Sequence, residues 1–203
     1  MRVLVTADLH YDFERDRPQV HAVAERMCAE AADVLVLAGD LFALDPAVLA
    51  ECLRLFDGFE GEKLLVAGNH DLWTRPGGDS YQLYDAVIPA LAEACGFHDL
   101  DVEPKVVGDV GFVGTVGWYD YSFRDKSLGI PLRFYEAKAA PGYCRASLEL
   151  RHLLEGDESL PARAMAASSY WNDGRMIHWD MDDRAFNALT LKRLQAQLQA
   201  VEN

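Results

Sequence analysis

The stretch VLVLAGD at positions 34–40 decides the fold, because an uninterrupted apolar run ends there in a glycine and an aspartate. Two other stretches share this layout: VLVT at 3–6 precedes ADLH, and LLVA at 64–67 precedes GNHD. Residues 19–31 and 46–57 lie between them and carry apolar positions at helical spacing, the second opened by Asp45 as N-cap and Pro46. Continuous apolar strands that alternate with helices are typical of a parallel sheet covered on both faces. The pattern therefore predicts an α/β fold.

Each of the three apolar runs is followed at once by polar residues. The carboxyl ends of parallel strands meet at one edge of a sheet, where open α/β proteins bind their ligands. Each residue alone has an ordinary interpretation as a helix cap or a turn, but their joint occurrence at three equivalent strand ends favours a shared site. The residues predicted to meet there are Asp8, His10, Asp40, Asn69 and His70.

The residue types in this set indicate a metal site. Carboxylate, imidazole and amide ligands suit Mn²⁺, Fe or Zn²⁺. Asp8 and His10 are alternate residues of an extended segment and can hold one ion, and Asp40, from the middle cluster, is the candidate to bridge two. Two ions about 3.5–4 Å apart clamp a phosphoryl group and activate water for in-line attack. His70 is predicted to donate a proton to the leaving oxygen, with Asp71 orienting its ring.

The remainder of the chain has a different character. Residues 82–95 predict a third helix, and Lys105–Val107 with Phe112–Val116 predict an antiparallel hairpin. From Ser122 to Arg175 the strand periodicity disappears, so we expect an inserted cap at about 122–175 within a single domain spanning 1–203. Aromatic clusters at 118–121 and 170–171 are expected either to line a pocket mouth or to be core. Residues 175–178 predict a strand, and Asp182 is expected to open a last helix to about Val201.

Composition narrows the functional classes. The 203 residues include 33 acidic and 19 basic ones, and the resulting formal charge of −14 argues against a nucleic-acid groove. Four scattered cysteines form no metal-binding pair, so we expect free thiols. No apolar run approaches membrane-spanning length and the start shows no signal-peptide layout, which predicts a cytoplasmic protein without a membrane partner.

Three motifs in this order, Asp8-x-His10, Gly39-Asp40 and Gly68-Asn69-His70-Asp71, closely resemble the calcineurin-like metallophosphoesterases. The resemblance implies a metallophosphoesterase-like two-sheet sandwich with flanking helices and two divalent metal ions. It implies that Asp8 and His10 hold the first ion, Asp40 bridges, Asn69 holds the second and His70 is the catalytic histidine. Members of the family carry three further histidines near the C-terminus, and here the chain has none after His178. We therefore expect a fold that is incomplete at its C-terminus, with impaired catalysis.

The resemblance predicts a metal-dependent phosphoesterase acting on a small phosphate mono- or diester. The stretch GDLF at 39–42 is similar to the repair nucleases of the same superfamily, which makes a nuclease the first alternative. A catalytically inactive phosphoesterase-like binding module is the second. The last helix carries an apolar stripe formed by Phe186, Leu189, Leu191, Leu194, Leu198 and Val201. In the family this face would pack on a sheet whose later strands are missing here, so we expect the helix to expose the stripe or to lack its partner, which would favour self-association.

Overall fold

The computed structural model describes residues 1–156 and 159–202, which form two compact units. The first comprises Met1–Trp118 together with Ile177–Asn203, and the second comprises Tyr119–Met176. Within the described ranges, no helix combines the length and the apolar character that crossing a bilayer requires. The thiols of the four cysteines are free, as predicted.

A four-stranded parallel sheet forms the centre of the first unit. Its strands are β1 (Val3–Thr6), β2 (Val34–Ala38), β3 (Glu62–Val66) and β4 (His98–Asp99), in that spatial order. The three strands predicted from the apolar runs are confirmed, whereas the two-residue β4 was not predicted. A second, antiparallel sheet consists of β5 (Lys105–Val107) and β6 (Val110–Phe112). The fold is therefore α/β with a parallel sheet, a second sheet and flanking helices.

The helices between these strands begin where the sequence signals them. They are α1 (Arg17–Ala29) and α2 (Pro46–Arg54), and the Asp45 carboxylate accepts a hydrogen bond from Ala47 N at 3.0 Å as the N-cap of α2. The third predicted helix runs through α3 (Ser80–Gln82), a π-helical turn (Leu83–Val87) and α4 (Ile88–Ala94). Pro89 accounts for the wider turn, because it has no N–H to donate and its ring would clash with the carbonyl one α-turn earlier.

Both faces of the central strand β2 are covered, whereas Val5 on the neighbouring β1 is exposed. Leu35 and Leu37 face the larger core, which includes Leu53 and Phe186, whereas Val34 and Leu64 face a smaller one formed with Leu100 and hairpin side chains. Alternate residues of a strand point to opposite faces, so an unbroken apolar run is needed when both faces are covered. This explains the VLVL pattern of β2.

The hairpin is tighter than predicted. Gly108 has a φ of +63°, and this left-handed conformation lets the chain reverse within residues 108–109, so that Val110 pairs with Val107. The predicted second strand at 112–116 is wrong beyond Phe112. Side chains take the backbone amides that a strand would use: Gln197 Oε1 accepts from Gly114 N at 3.1 Å and Asp101 Oδ1 accepts from Val116 N at 2.6 Å.

The second unit consists of short helices. They are α5 (Leu132–Glu136), α6 (Pro141–Ala146), α7 (Ala162–Ala166) and α8 (Asp173–Met176), with 3₁₀ turns at Lys126–Leu128 and Arg151–Leu154. Phe134, Ala139 and Cys144 are the buried centre of its own small core. Its strand content among the described residues is one isolated bridge between Ala139 and Tyr170. That this unit is a cap on the site stays a prediction.

The strand predicted at 175–178 is wrong. Arg175 N and Met176 N both donate to the carbonyl oxygen of Asn172, each at 2.9 Å, and this turn makes residues 173–176 the short helix α8.

The last helix, α9 (Asp183–Val201), starts at the predicted N-cap Asp182. The apolar stripe expected to be exposed is exposed only in part. Phe186 is buried, but Leu191 and Leu198 are 45% and 42% exposed, and Thr190 and Gln197 are buried in addition. Gln197 can lie there because its amide is satisfied: Nε2 donates to Leu100 O at 2.7 Å and Oε1 accepts from Gly114 N. Self-association through the exposed leucines stays a prediction.

Asp99 is a buried carboxylate on β4, and its Oδ2 atom has no hydrogen-bond partner among the described residues. Burial and then the charge of Asp101 raise the pKa of Asp99 to about 7. Because an unfolded Asp titrates near 4, the folded chain holds this proton more tightly than the unfolded chain between about pH 4 and 7. This contribution to stability is therefore present below pH 4 and is lost as the pH rises to 7.

The Asp99→Asn variant has no carboxyl group to ionise, so it should not lose this stability as the pH rises. Its side-chain oxygen can still accept the hydrogen bond from Asp101 N. We expect its free energy of unfolding, relative to the wild type, to rise by roughly 4 kcal/mol between pH 4 and 8, since the folded and unfolded pKa values differ by about three and one pKa unit corresponds to about 1.4 kcal/mol. Urea titrations at several pH values measure this difference. The exposed turn residue Asp109 provides the control Asp109→Asn, which should track the wild type. A pH-independent difference for Asp99→Asn would show that its carboxylate is already ionised in the folded chain.

Candidate metal centre

The three polar loops leave the sheet side by side. β1 pairs with β2 so that Thr6 is opposite Leu37, and β2 pairs with β3 so that Ala38 is opposite Val66. The carboxyl ends of the three strands are thus level, and the loops that follow start at the same sheet edge.

Hydrogen bonds continue between the first two loops beyond the strands. Asp8 N donates to Gly39 O at 3.0 Å, and His10 N donates to Asp40 O at 3.0 Å. The backbones of Asp8, His10 and Asp40 all lie in the left-handed region, with φ values of 55°, 44° and 55°. L-residues rarely adopt this conformation, and Asp and His are among those that tolerate it best. Strain of this kind persists where the surrounding structure holds it and clusters at functional sites.

Glycine is required where the second and third loops touch. A Cβ on Gly68 would lie 2.2 Å from Asp40 Oδ1, and a Cβ on Gly39, whose φ is +86°, would lie 2.8 Å from Gly68 Cα. The absence of both side chains therefore brings Asp40 directly against the backbone of the third loop.

Asp71 holds the second and third loops together. Its Oδ2 accepts from Gly68 N at 2.7 Å and Asp40 N at 2.9 Å, and its Oδ1 accepts from Leu41 N at 2.8 Å and Phe42 N at 3.0 Å. Burial raises the pKa of Asp71 to about 7, against the opposing effect of these amides. Both oxygens of this carboxylate thus accept from backbone amides, four in all. This bracing role depends on contacts between residues about thirty positions apart, which no local pattern reveals. That Asp71 orients the His70 ring stays a prediction.

His10, Asp40 and His70 converge. Each offers one ligand atom, and the three atoms lie within 4.8 Å of one another. Asp40 Oδ1 also accepts from His70 N at 3.1 Å. His10 Nδ1 is buried and has no hydrogen-bond partner among the described residues, which is unfavourable for a polar atom unless a ligand satisfies it. An imidazole and a carboxylate are donors that Mn²⁺, Fe or Zn²⁺ accept, so His10 and Asp40 fit a divalent ion, and the His70 ring lies beside them.

The other predicted ligands lie on the same loops. Asp8 is exposed on the first loop, and it is not part of the three-residue cluster. Asn69 is half-buried between Gly68 and His70 on the third. The structure thus brings together three of the predicted site residues and places these two beside them.

Trp73 is a site residue that sequence reasoning missed. Its ring stacks on His70 with centroids 3.7 Å apart and planes at 26°, while His10 meets the His70 ring edge-on at 4.7 Å. Residues 70–72 form a 3₁₀ turn, and in such a turn residues three apart lie one above the other. The spacing of three between His70 and Trp73 would have been the signal, had the turn type been known.

Residues 1–151 match the family model of the calcineurin-like phosphoesterases, which is more than half of the chain. The chain belongs to this family, as its three motifs predicted, and is in general terms a hydrolase of the metallophosphoesterase type. The family uses divalent metal ions. Comparison with curated proteins gave no significant match.

Proposed function

We propose that the chain hydrolyses a small phosphate mono- or diester with two divalent ions held at this centre. The observation that carries the proposal is the convergence of His10, Asp40 and His70 at the ends of adjacent parallel strands. Asp8 and His10 would hold one ion, Asp40 would bridge, and Asn69 would hold the other. When bound, the ions supply positive charge that stabilises the phosphoryl group and activates water.

His70 is proposed to donate a proton to the leaving alkoxide. Trp73 supports this role because a stacked indole restricts the orientation of the His70 ring, which also meets the His10 ring at a steep angle. A general acid is effective only when it is held in reach of the departing oxygen, and two neighbouring rings limit its rotation. Mn²⁺ is the ion that we propose to test first.

The substrate is proposed to be a small molecule. With a formal charge of −14 the chain repels a long phosphate backbone, and nonspecific nucleic-acid affinity comes mainly from Lys and Arg. A single phosphoryl group needs only the local positive charge of the two ions. We propose a cytoplasmic location, which suits the four free thiols.

Hydrolysis of bis(p-nitrophenyl) phosphate and of p-nitrophenyl phosphate, with Mn²⁺ added or removed by chelation, tests the activity. We expect Mn²⁺-dependent release of nitrophenolate, and a kcat lower by about 10²–10⁴ in His70→Asn, the range for loss of a general acid. The exposed His152 supplies the control His152→Asn, which should keep full activity. Mn²⁺ binding without turnover would identify an inactive binding module, and preferential cleavage of DNA would identify a nuclease; either outcome refutes the proposal.

A further inference from the structure

The second unit contains a cavity of about 100 Å³ that is independent of the metal centre. All the residues around it belong to the unit of residues 119–176, so its geometry depends on that unit alone. The aromatic clusters noted in the sequence, at 118–121 and 170–171, both contribute to it. Its walls are mainly aromatic and include Tyr119, Tyr121, Phe134, Tyr135, Trp171 and the side chain of Lys138.

One wall contains a buried cation. Lys138 is only 6% exposed, and its Nζ donates to Tyr121 Oη at 2.7 Å and lies 4.4 Å from the centre of the Tyr119 ring. Tyr119 Oη in turn donates to Oδ2 of the buried Asp173 at 2.6 Å. Removing an ammonium and a carboxylate from water costs several kcal/mol, and only their contacts in the folded chain offset this cost. Apolar side chains of similar volume would not carry this desolvation penalty.

The backbone is strained at the same place. Among the described residues other than glycine, six have a positive φ; three of them are Asp8, His10 and Asp40, and two others are Tyr121 and Lys138, at 65° and 56°. For such residues this conformation costs on the order of 1–3 kcal/mol each. The contact between Lys138 Nζ and Tyr121 Oη therefore joins two strained positions across the cavity wall. Five of these six described residues with a positive φ therefore lie at the candidate metal centre or at this cavity, and the sixth is Leu44.

We propose that the cavity is a binding site for one neutral aromatic ring, such as that of a phenol. The ammonium of Lys138 already occupies the tyrosine faces, so a cationic ligand would meet a like charge. For an anion, the attraction of this ammonium is opposed by the buried carboxylate of Asp173, which accepts from Tyr119 Oη, and by the negative ring faces. A neutral aromatic ring can stack on those faces or meet them edge to face. The cavity of about 100 Å³ is smaller than the enclosed cavity of about 150 Å³ that binds benzene and far below the roughly 300 Å³ of pockets for drug-sized ligands, so it has room for at most one ring, partly at its open side. Trp171, 53% exposed, offers a stacking face.

Ligand-observed NMR on the intact chain tests the proposal with three probes: phenol, cyclohexanol and tetramethylammonium. We expect saturation transfer to phenol, weaker transfer to cyclohexanol and none to tetramethylammonium. Trp171→Ala should weaken phenol binding about tenfold, because aromatic stacking adds about 0.5–1.5 kcal/mol to the burial of area. Phe123, fully exposed and outside the cavity lining, supplies the matched control Phe123→Ala, which should bind phenol like the wild type.

A second variant covers the case in which Trp171→Ala unfolds. Ile130 is a half-buried lining residue, and Ile130→Phe would place a ring in the cavity and exclude phenol without removing a wall. Its melting temperature, compared with the wild type, shows whether the fold is intact. Equal phenol binding in wild type and folded Ile130→Phe, stronger binding of tetramethylammonium, or no phenol binding at all would each overturn the proposal. None of these readouts depends on metal or on phosphoesterase activity, so the two proposals fail separately.

Discussion

Replacing Asp40 with asparagine is expected to weaken Mn²⁺ binding by about 100-fold or more, because partners of metal ligands alone contribute 10–100-fold and Asp40 is proposed as a ligand to both ions. Asparagine keeps the shape of the side chain and an oxygen that can accept from His70 N, so the third loop should hold its position. What the variant loses is the negative charge and one ligand atom. Calorimetric titration of metal-free protein with Mn²⁺ measures the difference.

Asp45→Asn is the matched control for that titration. Asp45 lies five residues further along the same loop and caps α2 from the surface, a task that asparagine performs equally well. Its affinity for Mn²⁺ should equal that of the wild type. Equal Mn²⁺ affinity in Asp40→Asn and the wild type would remove Asp40 from the ligand set.

We expect Asp71→Asn to lower the free energy of unfolding by about 3 kcal/mol or more. This is the largest loss of stability that we predict. The carboxylate accepts four backbone N–H bonds on its two oxygens, and the asparagine NH₂ group would face two of those donors instead of accepting from them. Each buried donor left without an acceptor costs about 1–3 kcal/mol. Metal affinity should fall as well, since the second and third loops would lose their brace.

Chemical denaturation of Asp71→Asn beside Asp79→Asn separates this brace from an ordinary cap. Asp79 also accepts two backbone amides, those of Tyr81 and Gln82, but it is exposed, so water can replace the lost bonds. We expect a change below about 1 kcal/mol there. Similar losses of stability in the two variants would show that burial of Asp71 does not raise the cost of replacing its carboxylate.

The sequence predicted those parts of the fold that follow from local pattern. The apolar runs of β1, β2 and β3 leave few alternatives to a two-sided parallel sheet, and the caps Asp45 and Asp182 follow from residue type and position. The convergence of His10, Asp40 and His70 follows from topology, because neighbouring parallel strands deliver their C-terminal loops to one edge.

What the sequence did not predict depends on long-range partners. The end of β6 follows from amides at 114 and 116 that bind Gln197 and Asp101, and the buried face of α9 includes that same Gln197. Hydrophobic spacing cannot identify a buried glutamine, since its burial is tolerated only where both ends of its amide find partners. The stacking of Trp73 on His70 depends in the same way on an unforeseen 3₁₀ turn.

The left-handed backbones of Asp8, His10 and Asp40 also bear on protein engineering. A search for a more heat-resistant chain would favour glycine at these positions, because glycine adopts a positive φ without a steric penalty. Each such change would relax the loop and delete a proposed ligand in the same step. Thermostability and metal affinity are therefore set in opposition at these three residues, as in other proteins where the functional site is the least relaxed part of the fold. Selection for stability alone would therefore favour a more stable protein that binds metal more weakly.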